Sequence, residues 1–139
     1  MLIKRNTKRG FTNFNDVHNA VLLFGQQTRR QVVLFDDARL PTFNDTVLMF
    51  ATADVIIAPH GAGLTNIVFA RPGTTVVDIQ CKGKTSVWCY RLMALRLGMR
   101  YYASETTAER VTVQCNQSFI SVDVDELKAV LAFIANKYL

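Results

Sequence analysis

Apolar residues follow two different periods along this chain. In Gln31-Val32-Val33-Leu34-Phe35, Asp54-Val55-Ile56-Ile57-Ala58 and Thr75-Val76-Val77-Asp78-Ile79 they run consecutively. All three read as strands, and the run from Asp54 to Ala58 lacks the alternation of a half-exposed strand, so it suits a central parallel strand covered on both faces. Between them, apolar residues recur every three or four positions: Val17, Ala20, Val21 and Phe24, then Phe43, Val47 and Phe50. The clearest stripe is the last, Leu127, Val130, Leu131, Ile134, Ala135 and Tyr138, the spacing of one buried helix face.

Punctuation residues divide the chain into elements. A short strand at Leu2-Ile3-Lys4-Arg5 precedes a helix capped by Asn15 or Asp16 and ended by Gly25. The turn at Leu40-Pro41 leads to a helix from about Phe43. A short helix from Leu64 to Ala70 ends before the turn Arg71-Pro72-Gly73, and a longer one from Ser86 to Leu97 stops at Gly98 and leads to Arg100-Tyr101-Tyr102-Ala103. Val111-Thr112-Val113 and Phe119-Ile120-Ser121-Val122 read as strands of a hairpin or an insertion. Strands alternating with helices predict an α/β fold: one domain, residues 1–139, with an open, mostly parallel Rossmann-like sheet, helices on both faces and right-handed crossovers.

Composition narrows the partners. Of 139 residues, 50% are hydrophobic, enough for a real core. No run reaches the roughly 18 apolar residues of a membrane span. The first residues turn polar at Lys4, too early for a signal peptide. The formal net charge is +5, concentrated at Lys4, Arg5, Lys8 and Arg9, at Arg29-Arg30, and at Lys82 and Lys84. That balance favours an anionic partner. Nucleic acid is not expected, because the basic residues lack interleaved aromatics and no zinc-finger or basic-helix pattern is present. A phosphorylated small molecule fits better. Cys81, Cys89 and Cys115 lack CxxC spacing, which disfavours structural zinc. They read as three buried apolar cysteines in preference to one disulfide and a free thiol.

The chemistry concentrates in residues 58–79, APHGAGLTNIVFARPGTTVVDI. A glycine-rich turn between a buried strand and a helix lets a phosphate approach the backbone, where the helix N-terminus offers unpaired N–H groups. Gly61 and Gly63 omit the Cβ that would block an anion or forbid a positive φ. On spacing alone this is equally a tight turn with a histidine packed beneath it. It is not a dinucleotide fingerprint, whose glycine spacing and acidic ribose partner are both missing. Asp123-Val124-Asp125 is an Asp-x-Asp triplet, yet it directly precedes the last helix and reads as its N-terminal cap instead of a metal site. Asp36, Asp37 and Arg39 sit in a strand-to-helix loop without a distinguishing pattern. Asp54 and Asp78 read as structural acceptors, His18 as surface, and Trp88, Tyr90 and Tyr101 as core or rim.

The longer stretch LMFATADVIIAPHGAGLTNIVFARPGTTVVDI closely resembles the signature of the glycosyltransferase 61 family. That family includes N-acetylglucosaminyltransferases acting on O-linked mannose and on EGF domains, and plant xylosyl- and arabinosyltransferases. Upstream, IKRNTKRGFTN is similar to its strand ending in an arginine, followed by a second arginine and an asparagine; downstream, FISVDVDELKAVLAFI resembles its last strand and helix. The resemblance covers nearly the whole chain and the C-terminal half of a typical member.

The resemblance implies a GT-B-like arrangement of two Rossmann-like domains, of which this is the half that holds a nucleotide-sugar donor, a UDP-sugar first of all. By position, Arg5, Arg9 and Asn13 match the family's basic pair and asparagine, and His60, Gly61, Ala62, Gly63, Leu64 and Thr65 match its His-Gly-Ala-Gly-Leu-Thr loop. Guanidinium forks and a helix N-terminus can stabilise a departing diphosphate without a metal or other cofactor. His60 reads as a donor contact or an aid to the leaving group, not as the base, which an inverting transfer needs on the acceptor side. The implied acceptor is a glycoprotein or polysaccharide; the implied compartment is the endoplasmic reticulum or Golgi lumen for a eukaryotic enzyme and the cytosol for a bacterial or viral one. The acceptor domain is expected in a missing N-terminal half or in a partner chain. A non-catalytic module whose basic rim meets an anionic partner is the other reading of the same residues.

Overall fold

A computed structural model describes residues 1–81, 88–108 and 117–139. Its elements are β1 (Leu2–Lys4), α1 (Phe14–Thr28), β2 (Leu34–Asp36), α2 (Phe43–Thr52), β3 (Val55–Pro59), a 3-10 helix (Ala62–Phe69), β4 (Thr75–Cys81), α3 (Cys89–Arg96), β5 (Arg100–Ala108), β6 (Ile120–Ser121) and α4 (Val124–Tyr138). The strands form one sheet in the order β2-β1-β3-β4-β5-β6. All neighbours are parallel except β5 and β6. The predicted α/β architecture is therefore the observed one.

Consecutive apolar residues in β3 and β4 serve two cores. Val55, Ile57, Val77 and Ile79 point to one face, where they meet Val17, Val21 and Phe24 of α1 and Leu127, Leu131 and Ile134 of α4. Ile56, Ala58 and Val76 point to the other, against Phe50 of α2, Leu64 and Ile67 of the 3-10 helix and Ala94 of α3. All five residues of β3 are buried, as a central strand between two helical layers requires. The side chain of Asp123 accepts hydrogen bonds from the backbone N–H groups of Asp125 and Glu126, so the triplet caps α4. Such a cap is worth about 1 kcal/mol.

Several local expectations fail for tertiary reasons. Gly25 does not end α1, which starts after Asn13 and runs on to Thr28 with Arg29 left-handed at φ 55°. A Cβ on Gly25 would lie 2.6 Å from Val32 and 2.8 Å from the Arg30 carbonyl, so this glycine admits the returning chain. Phe43 is 70% exposed despite its helical spacing; it packs edge-on against Phe69 across the surface. Only Phe50 of α2 is fully buried. His18 is half-buried and stacks on Phe14. Regular pairing in β2 starts at Leu34, later than Gln31. Of the cysteines, Cys81 is disulfide-bonded and Cys89 is free and exposed, so the reading of three buried thiols is corrected. Lys82, Lys84, the start of the helix placed at Ser86, the strand at 111–113 and Cys115 lie outside the described residues.

The strand order positions the site. From β1 the chain crosses by α1 to β2 at one edge, then returns by α2 across β1 to β3. The connections leaving the carboxyl ends of β1 and β3 therefore go to opposite faces. The carboxyl ends of these two strands are a topological switch point, the place where open α/β sheets bind ligands. Arg5 follows β1, and His60 follows β3.

Candidate functional site

The segment after β1 is stapled to the end of β2. The Asn6 side-chain amide donates to Asp36 Oδ1 at 2.6 Å and Asp37 Oδ1 at 2.7 Å, and its backbone N–H donates to Asp37 at 2.9 Å. Asp36 also receives the Ala38 backbone N–H and the Lys4 ammonium. Those donors, the Ala38 N–H foremost, hold its carboxyl below the usual carboxylate range. Asp36 thus stabilises the fold above the unfolded carboxylate value, near 3.8, and this contribution is lost as pH falls through the lower folded value. The difference in thermal midpoint between wild type and Asp36→Asn is expected to hold at neutral pH and to close in acid below that point. Asp36 and Asp37 thus brace this loop.

A turn closed by the Gly10 N–H on the Thr7 carbonyl sends the chain back past the sheet edge. Arg9 occupies the left-handed region at φ 68°, rare for a long side chain, and its N–H is tied to the Ser118 carbonyl. Asn13 caps α1 and spends its amide on the Val122 backbone, donating at 2.9 Å and accepting at 3.1 Å. It joins the start of α1 to the start of α4, and none of its hydrogen bonds reaches the two arginines.

From the other side comes the turn after β3. The His60 N–H extends the ladder to the Ile79 carbonyl, and the Leu64 N–H closes on the Gly61 carbonyl to open the 3-10 helix. Gly61 lies directly beneath both arginines. A Cβ there would sit 2.3 Å from Arg5 Nη1 and 3.2 Å from Arg9 Cζ and Nη2. Gly63 differs: a Cβ would meet only Ile3, at 3.4 Å, and its φ is not positive. Of the two glycines, Gly61 alone is demanded by close approach. Leu64 is buried in the core, Ala62 is exposed, and the Thr65 hydroxyl lies 3.5 Å from the Tyr90 hydroxyl.

Two guanidinium groups thus crowd one point, and among the described residues the carboxylate paired with either is that of Asp37, 4.0 Å from Arg5 Nε. Arg5 Nε is buried with no hydrogen-bond partner. Arg9 Nε is buried and equally unpartnered. Burial, and then the charge of Arg5, push the Arg9 pKa below its ordinary value, though the distant fields of Tyr90 and Asp78 oppose this. Like charges held together in low dielectric are costly unless an anion joins them. A diphosphate, with oxygens to spare for both planar forks, supplies that charge.

A carboxylate that sequence reading took as a structural acceptor completes the site. Asp78 of β4 is fully buried. Its Oδ2 lies 2.8 Å from His60 Nδ1 and accepts from the Tyr101 hydroxyl at 2.5 Å and from the Gln80 amide at 3.1 Å. Gln80 also donates to the Tyr101 oxygen at 2.9 Å. Burial and Asp78 push the Tyr101 phenol far above its usual value, so it stays a donor. The Tyr90 ring meets the His60 ring edge-on at 5.1 Å. Tyr90 and Tyr101, expected in the core or on the rim, are therefore part of the histidine's surroundings. Among the described residues, no group of three His, Cys, Asp or Glu side chains is placed to hold a metal ion.

Residues 1–77 match the family model for glycosyltransferase 61. That segment carries both arginines, the His60–Thr65 turn and the strands that bring them together, and it is more than half of the chain. The chain belongs to the glycosyltransferase 61 family. Among curated proteins it is similar to β-1,2-xylosyltransferase XYXT1 of Oryza sativa subsp. japonica, 27% identical over 116 residues. The match covers 81% of this chain and 24% of the relative, so the chain spans about a quarter of the length of the curated protein it matches. Within this glycosyltransferase 61 chain, the family match includes the β1/β3 switch point.

Proposed function

We propose that this chain is the donor-binding part of a glycosyltransferase that moves a sugar from a UDP-sugar to a protein or polysaccharide acceptor with inversion at the anomeric carbon. The observation that carries the reading is the pair of buried Nε atoms of Arg5 and Arg9, without hydrogen-bond partners, above Gly61 at the β1/β3 switch point. Rupture of the bond between sugar and diphosphate leaves negative charge on the phosphate oxygens. Preorganised cations hold that charge more strongly in the transition state than in the intact donor. His60 lies beside them, its ring fixed by Asp78. The base that takes the acceptor's proton belongs to the part of the enzyme outside this chain. The name of the rice relative makes UDP-xylose the first donor to test. A disulfide at Cys81 and the plant relative both support a secretory-pathway lumen.

The test is calorimetric titration of the chain with UDP, repeated on two glycine variants. Gly61→Ala is expected to weaken UDP by about tenfold or more, because its new methyl displaces the flexible end of Arg5 by more than an ångström from its place. Gly63→Ala is expected to bind like wild type, since its methyl makes only ordinary contact with Ile3. Equal affinity in all three proteins, with binding that fades steeply in salt, would instead mark a basic rim for an anionic macromolecule.

A further inference from the structure

We infer that Asp78 is a positioning residue for the donor site: it fixes the His60 imidazole as the Nδ1–H tautomer and so makes Nε2 the nitrogen that meets the nucleotide. This rests on the donor-site reading above and assigns a task to a side chain that touches no part of the proposed diphosphate site directly.

The argument is one of hydrogen-bond inventory. An ionised carboxylate only accepts. The Tyr101 hydroxyl and the Gln80 amide both deliver protons to Asp78 Oδ2. His60 Nδ1, 2.8 Å from the same oxygen, must then carry a proton too. The other ring nitrogen lies on the far side of the imidazole, away from Asp78. In the neutral ring, Nε2 accepts a hydrogen bond from a donor hydroxyl; when protonated, it donates to a phosphate oxygen with Asp78 as its counter-charge. Either use is lost if Nε2 carries the proton of the wrong neutral tautomer.

The surroundings show why a full carboxylate stands here. Asp78 occupies a position on the face of β4 otherwise given to Val76 and to core packing. A buried charge with one oxygen, Oδ1, lacking any partner is costly, and an amide or apolar residue would fill the strand at lower cost. The charge is useful beside two cations. Arg5 and Arg9 already repel each other, and a protonated His60 would be a third positive group. Asp78 offsets it, and its weak long-range field on Arg9 opposes the repulsion from Arg5. Tyr101 and Gln80 clamp the carboxylate so that it cannot turn away from the histidine.

The test reads the ring directly. In a His18→Gln background, which leaves one histidine, long-range 15N–1H NMR distinguishes the two neutral tautomers. Wild-type His60 is expected as Nδ1–H, and Asp78→Asn, whose amide can donate to Nδ1, is expected to shift the ring to Nε2–H. UDP affinity, by calorimetry, is expected to fall about tenfold in Asp78→Asn, the loss of one charge-assisted hydrogen bond. A wild-type ring in the Nε2–H form overturns the inference whether or not the variant folds, as does unchanged UDP affinity in a folded Asp78→Asn. Arg5→Ala, titrated in parallel, separates the two readings. UDP binding lost in Arg5→Ala and retained in Asp78→Asn leaves the donor site standing without this role for Asp78. Binding retained in Arg5→Ala sinks the donor site and the inference together.

Discussion

Replacing Arg5 by alanine is expected to lower UDP affinity by between about thirtyfold and a few thousandfold, the equivalent of the roughly 2–5 kcal/mol lost when one member of a buried charge pair is truncated. The same change is expected to leave the thermal midpoint unchanged or slightly raised. Arg5 Nε makes no hydrogen bond that could be lost, its ion pair with Asp37 is long at 4.0 Å, and its guanidinium shares the space over Gly61 with that of Arg9. A residue kept for stability would show the opposite pattern. Added salt should raise the wild-type midpoint more than that of the variant, because screening relieves a repulsion the variant no longer has. Calorimetric titration and thermal unfolding at two ionic strengths give both readings; UDP affinity within threefold of wild type would remove Arg5 from the site.

Leu64→Ala should act in the reverse sense. Leu64 belongs to the glycine-rich turn by sequence, but its side chain is fully buried with Ile3, Phe50, Ile67 and Ala94 beneath the sheet. Truncation removes that packing and leaves a cavity, at a cost of about 2–5 kcal/mol. Against the roughly 5–15 kcal/mol typical of a domain, this is a large share of the total. A fall in midpoint on the order of 10 °C is expected by thermal unfolding. At temperatures where the variant stays folded, UDP affinity should change far less than in Arg5→Ala. Stability within about 0.5 kcal/mol of wild type would mean that the 3-10 helix is held by something other than this anchor.

The contrast between these two residues shows what could be read in advance. The central strand β3 was legible because it is apolar at successive positions, the habit of a doubly covered strand. The last helix was legible because its stripe is continuous and Asp123 stands where a cap belongs. The convergence of Arg5, Arg9 and the His60 turn was reached through family resemblance supported by fold logic; the local pattern alone could not distinguish a phosphate loop from a tight turn. Gly61 and Gly63 look alike in sequence, and only the approach of two side chains from the segment after β1 separates them. His60 meets Asp78 across 18 residues of chain and Asp78 meets Tyr101 across 23, through the parallel register of β3, β4 and β5. One signal was available: an aspartate inside an otherwise apolar central strand is expensive, and a partner for it was to be sought at the neighbouring strand ends. Gly25 and Phe43 misled because helix punctuation and helical period are local, whereas the return of Arg30 and the edge contact with Phe69 are not.

Cys81 closes β4 one residue after Gln80, and its disulfide has a practical consequence for anyone preparing this protein. The strand that presents Asp78 to His60 ends in a cross-link, so the redox potential of the expression host becomes a variable of the binding experiment. Material made in a reducing cytosol, or kept in dithiothreitol to protect the exposed Cys89, would carry that strand end without its tether. Oxidative production, with Cys89 replaced by serine to prevent disulfide exchange, is the preparation in which nucleotide affinities can be compared between laboratories.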